Sequence, residues 1–109
     1  MVKQLATVSE MKTFIETHQL AVIQISRQNC SVCHAVFPKI EEMLKQYSDV
    51  AFGIVDADEV PDVAGALSIF TVPVDIIFFN GKEMHREGRF IDFDRFEKQL
   101  SKIYESIQD

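Results

Sequence analysis

Apolar and polar positions follow two distinct periods along this chain. In "TVSEMKTFIETHQ", Met11, Phe14, Ile15 and His18 fall at i, i+3, i+4 and i+7, the spacing that lines one face of a helix. Thr7 and Glu10 have capping-box spacing at its start, with Ser9 as a rival cap. "LAVIQIS", residues 20–26, is instead a β-branched run with little polar relief, as expected for a strand buried on both faces. The helical period returns over residues 31–47 through Val32, Val36, Phe37, Ile40, Met43, Leu44 and Tyr47. Pro38 interrupts it, removes a backbone donor and predicts a kink about one turn past Cys33. "VAFGIVD", residues 50–56, predicts another buried strand. Val60, Val63, Ala64 and Leu67 predict a helix over 58–67 with Pro61 in its first turn.

The second half changes character. "VDIIFF", residues 74–79, reads as a strand, and Asn80-Gly81 after it is a strong hairpin signal, because both central residues of a type I′ turn need positive φ. Residues 82–87 form the polar returning strand, ended by Gly88. Asp92 can cap a last helix with Phe93, Phe96, Leu100, Ile103 and Ile107 along one seam. With an edge strand over residues 2–6, the order is β-α-β-α-β-α-β-β-α. Such an order predicts an α/β fold, a three-layer sandwich with a central mixed β-sheet flanked by helices. No linker, repeat or low-complexity stretch divides the 109 residues, so one domain over 1–109 is expected.

Composition narrows the function. A chain of this length buries about two-thirds of its unfolded surface and needs no metal or disulfide staple. The net charge of −6 gives no attraction to phosphate backbones or anionic membranes, so neither nucleic acid nor membrane is expected as a partner. "MVKQLATVSEMKTF" lacks the apolar run of an export signal. If this start is native, a cytoplasmic location follows, where a cysteine pair is catalytic or metal-binding more often than structural.

The only two cysteines lie in "QNCSVCH", residues 28–34. As C-x-x-C-H the stretch matches covalent c-type haem attachment with His34 as axial ligand, and as C-x-x-C it matches a redox dithiol. The haem reading explains His34 but lacks an export signal. A zinc site would need more ligands, and His18 and His85 lie far from the cysteines in sequence, without finger-like spacing. Where a buried strand gives way to a helix, the first cysteine meets unpaired N–H groups and the positive end of the dipole, which favour its thiolate. Cys30 is then the nucleophile, and Cys33, one turn inside, is placed to resolve a mixed disulfide. His34 either lends partial positive charge to the Cys30 sulfur or is simply solvated.

These residues resemble the thioredoxin and thioredoxin-like family over essentially the full chain. The resemblance rests on "AVIQIS" running into Cys30-Ser31-Val32-Cys33, on Pro38 five residues later, on "VDADEVPDVAGALSIFTVP" and on "FFNGKE". It implies a protein disulfide oxidoreductase with a redox-active Cys30–Cys33 disulfide and no organic cofactor. It further implies a cis proline at Pro73 beside the dithiol and a Val72 backbone that pairs with substrate, with Gly88 lining the groove. Expected partners are client proteins with disulfides, and thioredoxin reductase or a low-molecular-weight thiol as reductant, with the protein acting as a monomer.

Several positions depart from the family pattern. The tryptophan before the first cysteine is Asn29, the intervening Gly-Pro is Ser31-Val32, and the buried aspartate six residues before the first cysteine is Gln24. The lysine that accompanies that aspartate matches Phe52. Gln24 takes up no proton at neutral pH, so acid–base help for Cys33 has to come from elsewhere, with water or His34 as candidates. These changes motivate a rival reading, a binding or redox-sensing module on the same fold with little turnover. The nine phenylalanines read as core and helix seam, and the acidic run at residues 56–59 reads as a solvated turn and helix start.

Overall fold

The computed structural model describes residues 2–108. Its elements are β1 (Val2–Gln4), α1 (Val8–Thr17), β2 (Leu20–Ser26), α2 (Ser31–Leu44), β3 (Ala51–Asp56), α3 (Val63–Leu67), β4 (Val74–Phe79), β5 (Lys82–Gly88) and α4 (Phe93–Ser106). The five strands form one sheet in the order β1-β3-β2-β4-β5. β1, β3 and β2 are parallel, and β4 and β5 run antiparallel to their neighbours. This is the mixed sheet and element order that the apolar periods predict.

Side chains alternate across each strand, so each face of the sheet builds its own core. On one face Ala21, Ile23, Ile25, Val55, Val74, Ile76 and Phe78 pack with Met11, Phe14 and Ile15 of α1 and Val63 of α3. On the other, Leu20, Val22, Phe52 and Ile77 pack with Val36, Ile40, Met43 and Leu44 of α2 and Phe96 and Leu100 of α4. Gly53 allows the first core to close. A Cβ there would lie 2.7 Å from Leu5 Cδ1 and 3.1 Å from both Ile23 Cδ1 and Phe14 Cε2. Asn80 and Gly81 have φ of 52° and 82°, the positive values a type I′ turn requires.

Local chemistry sets the helix ends. Thr7 Oγ1 accepts from the Glu10 N–H at 3.0 Å, and Asp92 Oδ1 accepts from the Arg95 N–H at 3.0 Å, both as the caps predict. His18 leaves the α1 stripe as the C-cap, with Nδ1 2.8 Å from the Phe14 carbonyl. α2 runs through Pro38 and ends at Leu44, three residues short of the expected end. Its tail tightens into i→i+3 turns, Gln46 N–H to Met43 and Tyr47 N–H to Leu44, which keep Tyr47 on the packed face. There Tyr47 meets Tyr104 of α4 edge-on, ring centroids 5.2 Å apart, and donates to Glu97 Oε2 at 2.8 Å. α3 is also shorter than expected: Asp56 Oδ1 accepts from the Asp58 N–H at 2.8 Å, and this Asx turn competes with helix at residues 56–60.

Candidate active site

β2 delivers the chain to the cysteines, and α2 begins on them. Cys30 is the N-cap of α2, with extended backbone at φ −132° and ψ 98°. Its sulfur takes the place of the usual capping oxygen and accepts the Cys33 N–H at 3.2 Å. Negative charge on that sulfur therefore meets a backbone donor and the positive end of a 14-residue helix, both of which favour a thiolate. The two sulfurs form a disulfide, with the Cα atoms 5.2 Å apart. Cys30 is half-buried, whereas Cys33 is 2% exposed.

The loop ahead of Cys30 is clamped by Gln28, which the periodicity did not single out. Its Nε2 donates to Asp56 Oδ2 at 3.0 Å and to Glu59 Oε1 at 3.3 Å. Its N–H reaches Asp58 Oδ2 at 3.4 Å, and Arg27 Nε lies 3.5 Å from Asp58 Oδ1. The acidic turn is thus an anchor for the active-site loop rather than only a solvated surface. His34 completes the clamp, its Nε2 2.7 Å from the Gln28 carbonyl oxygen. A carbonyl only accepts, so Nε2 carries the hydrogen. That nitrogen ties the loop to the first turn of α2. As an axial ligand His34 would need its ring free of this bond, and haem attachment would need both sulfurs free of each other. His85 is likewise engaged, 2.6 Å from Glu87 Oε2, and no group of three metal-ligating side chains occurs among the described residues.

The Val72–Pro73 bond is cis. β2 and β4 pair as far as Ile25 with Val74, and continuing that register sets Pro73 beside Ser26, where β2 leaves the sheet toward Cys30. Val72 lines a crevice of about 300 Å³ together with Arg27, Ile69, Phe70 and Thr71. Gly88 pairs with Val74, and a Cβ there would meet only Val74 Cγ2, at 3.7 Å. Nothing in the packing requires glycine at 88. Its neighbour Arg89 grips Pro73, donating its N–H to the Pro73 carbonyl at 2.7 Å from a left-handed φ of 64°.

Three apolar side chains near these elements are exposed, and two of them, Phe70 and Phe90, break the expectation that the phenylalanines are core and helix seam. Phe70 is 93% exposed, Phe90 76% and Val32 44%. Phe70 lies two residues before Val72, Phe90 follows the Arg89 contact, and Val32 lies between the cysteines. Asn29, at the position of the family's tryptophan, is also exposed.

Beneath Cys33 lies a cavity of about 240 Å³ lined by Gln4, Gln24, Ser26, Cys33, His34 and Phe37, among others. Gln24 is fully buried, and neither its Oε1 nor its Nε2 has a hydrogen-bond partner. Its register partner on β4 is Asp75, also fully buried and with both carboxyl oxygens unpaired. Burial alone pushes the Asp75 carboxyl well above the ordinary aspartate range, because nothing compensates the lost hydration of a charge there. Asp75 in turn pairs with Glu87 on β5. Glu87 is buried but well served: Arg95 Nε and Nη2 reach its two oxygens at 2.6 and 2.7 Å. Arg95 first, and His85 after it, hold the Glu87 carboxyl below the usual range against the opposing effect of burial. Sequence reading selected Gln24 but missed Asp75, an acid inside the apolar run "VDIIFF". Its odd position shares a face with Ile77, and that is the one signal that could have marked it.

A family model described as Thioredoxin matches residues 2–102. The chain is 43% identical over 94 residues to Thioredoxin-like protein YdfQ of Bacillus subtilis, covering 86% of this chain and 84% of that one. It is 37% identical over 87 residues to Thioredoxin-2 of Saccharomyces cerevisiae, covering 79% and 84%. Among solved structures, thioredoxin from Fasciola hepatica superposes with a TM-score of 0.80 at 26% identity, over 91% of this chain and 97% of that one.

Proposed function

We propose that this chain, which belongs to the thioredoxin family and is a thiol–disulfide oxidoreductase, works as a reductant of protein disulfides, with Cys30 as nucleophile and Cys33 as resolving thiol. The observation that carries this assignment is the asymmetry of the pair. Cys30 caps the helix and meets solvent, while Cys33 lies one turn inside at 2% exposure. The Cys30 thiolate attacks one sulfur of a client disulfide, a Cys30–client bond forms, and the other client sulfur leaves as a thiolate and takes up a proton. Cys33 then loses its proton and attacks the Cys30 sulfur. The Cys30–Cys33 bond forms, the Cys30–client bond breaks, and the client's second sulfur leaves. Two electrons have passed from the dithiol to the client. A thioredoxin reductase or a small thiol returns them.

The Val72 backbone and Pro73 shape the client groove in this reading, and Phe70, Phe90 and Val32 give it an apolar rim. The whole chain acts as one domain and as a monomer, in the reducing environment of the cytoplasm. No helix among the described residues is long and apolar enough to cross a membrane. Insulin reduction with dithiothreitol tests the assignment. The wild type should accelerate precipitation, Cys30→Ser should match the uncatalysed rate, and reduced Cys33→Ser mixed with insulin in the absence of dithiothreitol should accumulate a Cys30–client adduct on non-reducing gels. Equal rates for wild type and Cys30→Ser would overturn it.

A further inference from the structure

Two orphaned polar groups lie side by side under the resolving cysteine. Gln24 has an unpaired amide and lines the Cys33 cavity, and Asp75, its cross-strand partner, has an unpaired carboxyl. Directly paired residues on antiparallel strands have Cβ atoms about 5 Å apart on the same face, so modest side-chain rotation or one bridging solvent molecule joins the two groups. We propose that Asp75 is a positioning residue for resolution: as a neutral acid it donates to Gln24 Oε1 and so turns the amide to present Nε2 to Cys33. The proposal rests on Cys33 being the resolving thiol. It supplies a specific role for the glutamine that stands at the buried end of the site.

The sign follows from donor chemistry. A neutral carboxyl has one O–H to give, and once it is given to Oε1 the amide N–H groups point to the cavity, where they stabilise the sulfur as it becomes a thiolate. An ionised carboxylate only accepts. It would draw Nε2 toward itself and turn Oε1, a partial negative charge, toward Cys33. Asp75 keeps its proton throughout the productive step. The Cys33 proton leaves to solvent through the cavity, the Cys30–Cys33 bond forms, the Cys30–client bond breaks, and the client thiolate takes up a proton. Burial favours the neutral acid. The other groups on this side are Glu87 of β5 with its partners His85 and Arg95, and Cys30, Cys33 and His34 of α2. Glu87 adds negative charge on the far side of Asp75, which Arg95 largely balances.

The test uses the reduced protein and the aromatic disulfide dithiobis(nitrobenzoate), from pH 5 to 9 in stopped flow. The first chromophore released reports attack by Cys30 and the second reports resolution by Cys33. Wild type, Asp75→Asn, Asp75→Leu and Gln24→Leu are compared. Asparagine keeps an N–H for Gln24 Oε1 at every pH. It should match the wild-type second phase at every pH where the wild-type carboxyl is neutral and exceed it, on the order of tenfold, wherever that carboxyl ionises, the scale of a lost hydrogen bond to a charged group. Asp75→Leu and Gln24→Leu should slow the second phase by about tenfold throughout. Comparing the four proteins at each pH cancels whatever pH dependence they share. An asparagine variant as slow as the leucine variant at position 75, or leucine variants with second phases equal to wild type, would overturn the proposal. A wild type with no first phase would instead overturn the functional assignment itself.

Discussion

Replacing Asp75 with asparagine should stabilise the oxidised protein by an amount that grows with pH. The carboxyl is fully buried, has no hydrogen-bond partner, and is pushed well above its ordinary range by burial alone. In the unfolded chain an aspartate titrates near about 3.9. Between that value and its higher folded value the native protein holds one more proton than the unfolded chain. Stability must therefore fall as pH rises across this window, by about 1.4 kcal/mol per pH unit. Asparagine has the same shape and no such proton, so the stability gap between variant and wild type should widen at that slope and then level off above the folded-state titration. Glu87 acts in the opposite sense. Its carboxyl is held low by Arg95, so its contribution is present above the unfolded glutamate value of about 4.3 and lost as pH falls below it. That contribution is common to both proteins and drops out of the gap. Guanidinium denaturation of the oxidised proteins at one-unit steps from pH 5 to 8 measures the gap. A gap that stays constant over this range would refute the reasoning, because the folded Asp75 would then titrate much as it does in the unfolded chain.

Gly53→Ala should cost about 1–3 kcal/mol, because its new methyl group would lie 2.7 Å from Cδ1 of the fully buried Leu5 and 3.1 Å from both Ile23 Cδ1 and Phe14 Cε2, so several packed side chains have to shift at once; an unchanged denaturation midpoint would contradict that packing. Arg95→Met strips the buried Glu87 of its bidentate partner and should lower the melting temperature, with the loss shrinking from pH 6 to pH 4 as Glu87 becomes protonated. Phe70→Ser with Phe90→Ser should raise KM for insulin several-fold and leave the rate with a small aromatic disulfide unchanged, since only a protein client is large enough to reach both rings; equal effects on the two substrates would remove the rim from the groove. Gln28→Ala removes the bonds to Asp56 and Glu59 and should lower insulin turnover while changing stability by no more than about 1 kcal/mol, as read from parallel turnover and melting curves.

Strong periods are what made the fold legible. "LAVIQIS" and "VDIIFF" coincide with β2 and β4 because a strand packed on both faces tolerates few polar residues. Asn80-Gly81 placed the hairpin because few other pairs adopt two positive φ values. Residues 58–62 fall outside α3 because the spacing of Val60, Val63 and Leu67 carries no information about the Asx turn that Asp56 makes. In the site, Cys30 and Cys33 were legible from their place between a buried strand and a helix. Asp75 was not, since its character comes from burial between Gln24 and Glu87, its register neighbours on two other strands. Gln28 and Arg89 act through backbone groups and long polar arms, and neither leaves a period. Arg89, beside Gly88, makes the contact to Pro73, and nothing in the sequence marks an arginine with left-handed backbone.

The edge-on pair of Tyr47 and Tyr104 has a spectroscopic consequence. The chain has two tyrosines and no tryptophan, so all of its intrinsic fluorescence above that of phenylalanine originates where the end of α2 meets α4. Emission from this protein is a local gauge of that helix contact, quenched while Tyr47 is bonded to Glu97 and brightening when the two helices part. Opening the Cys30–Cys33 bond at the other end of α2 should leave it dark, and a denaturation curve read by fluorescence will follow this one layer of the sandwich while circular dichroism follows the whole.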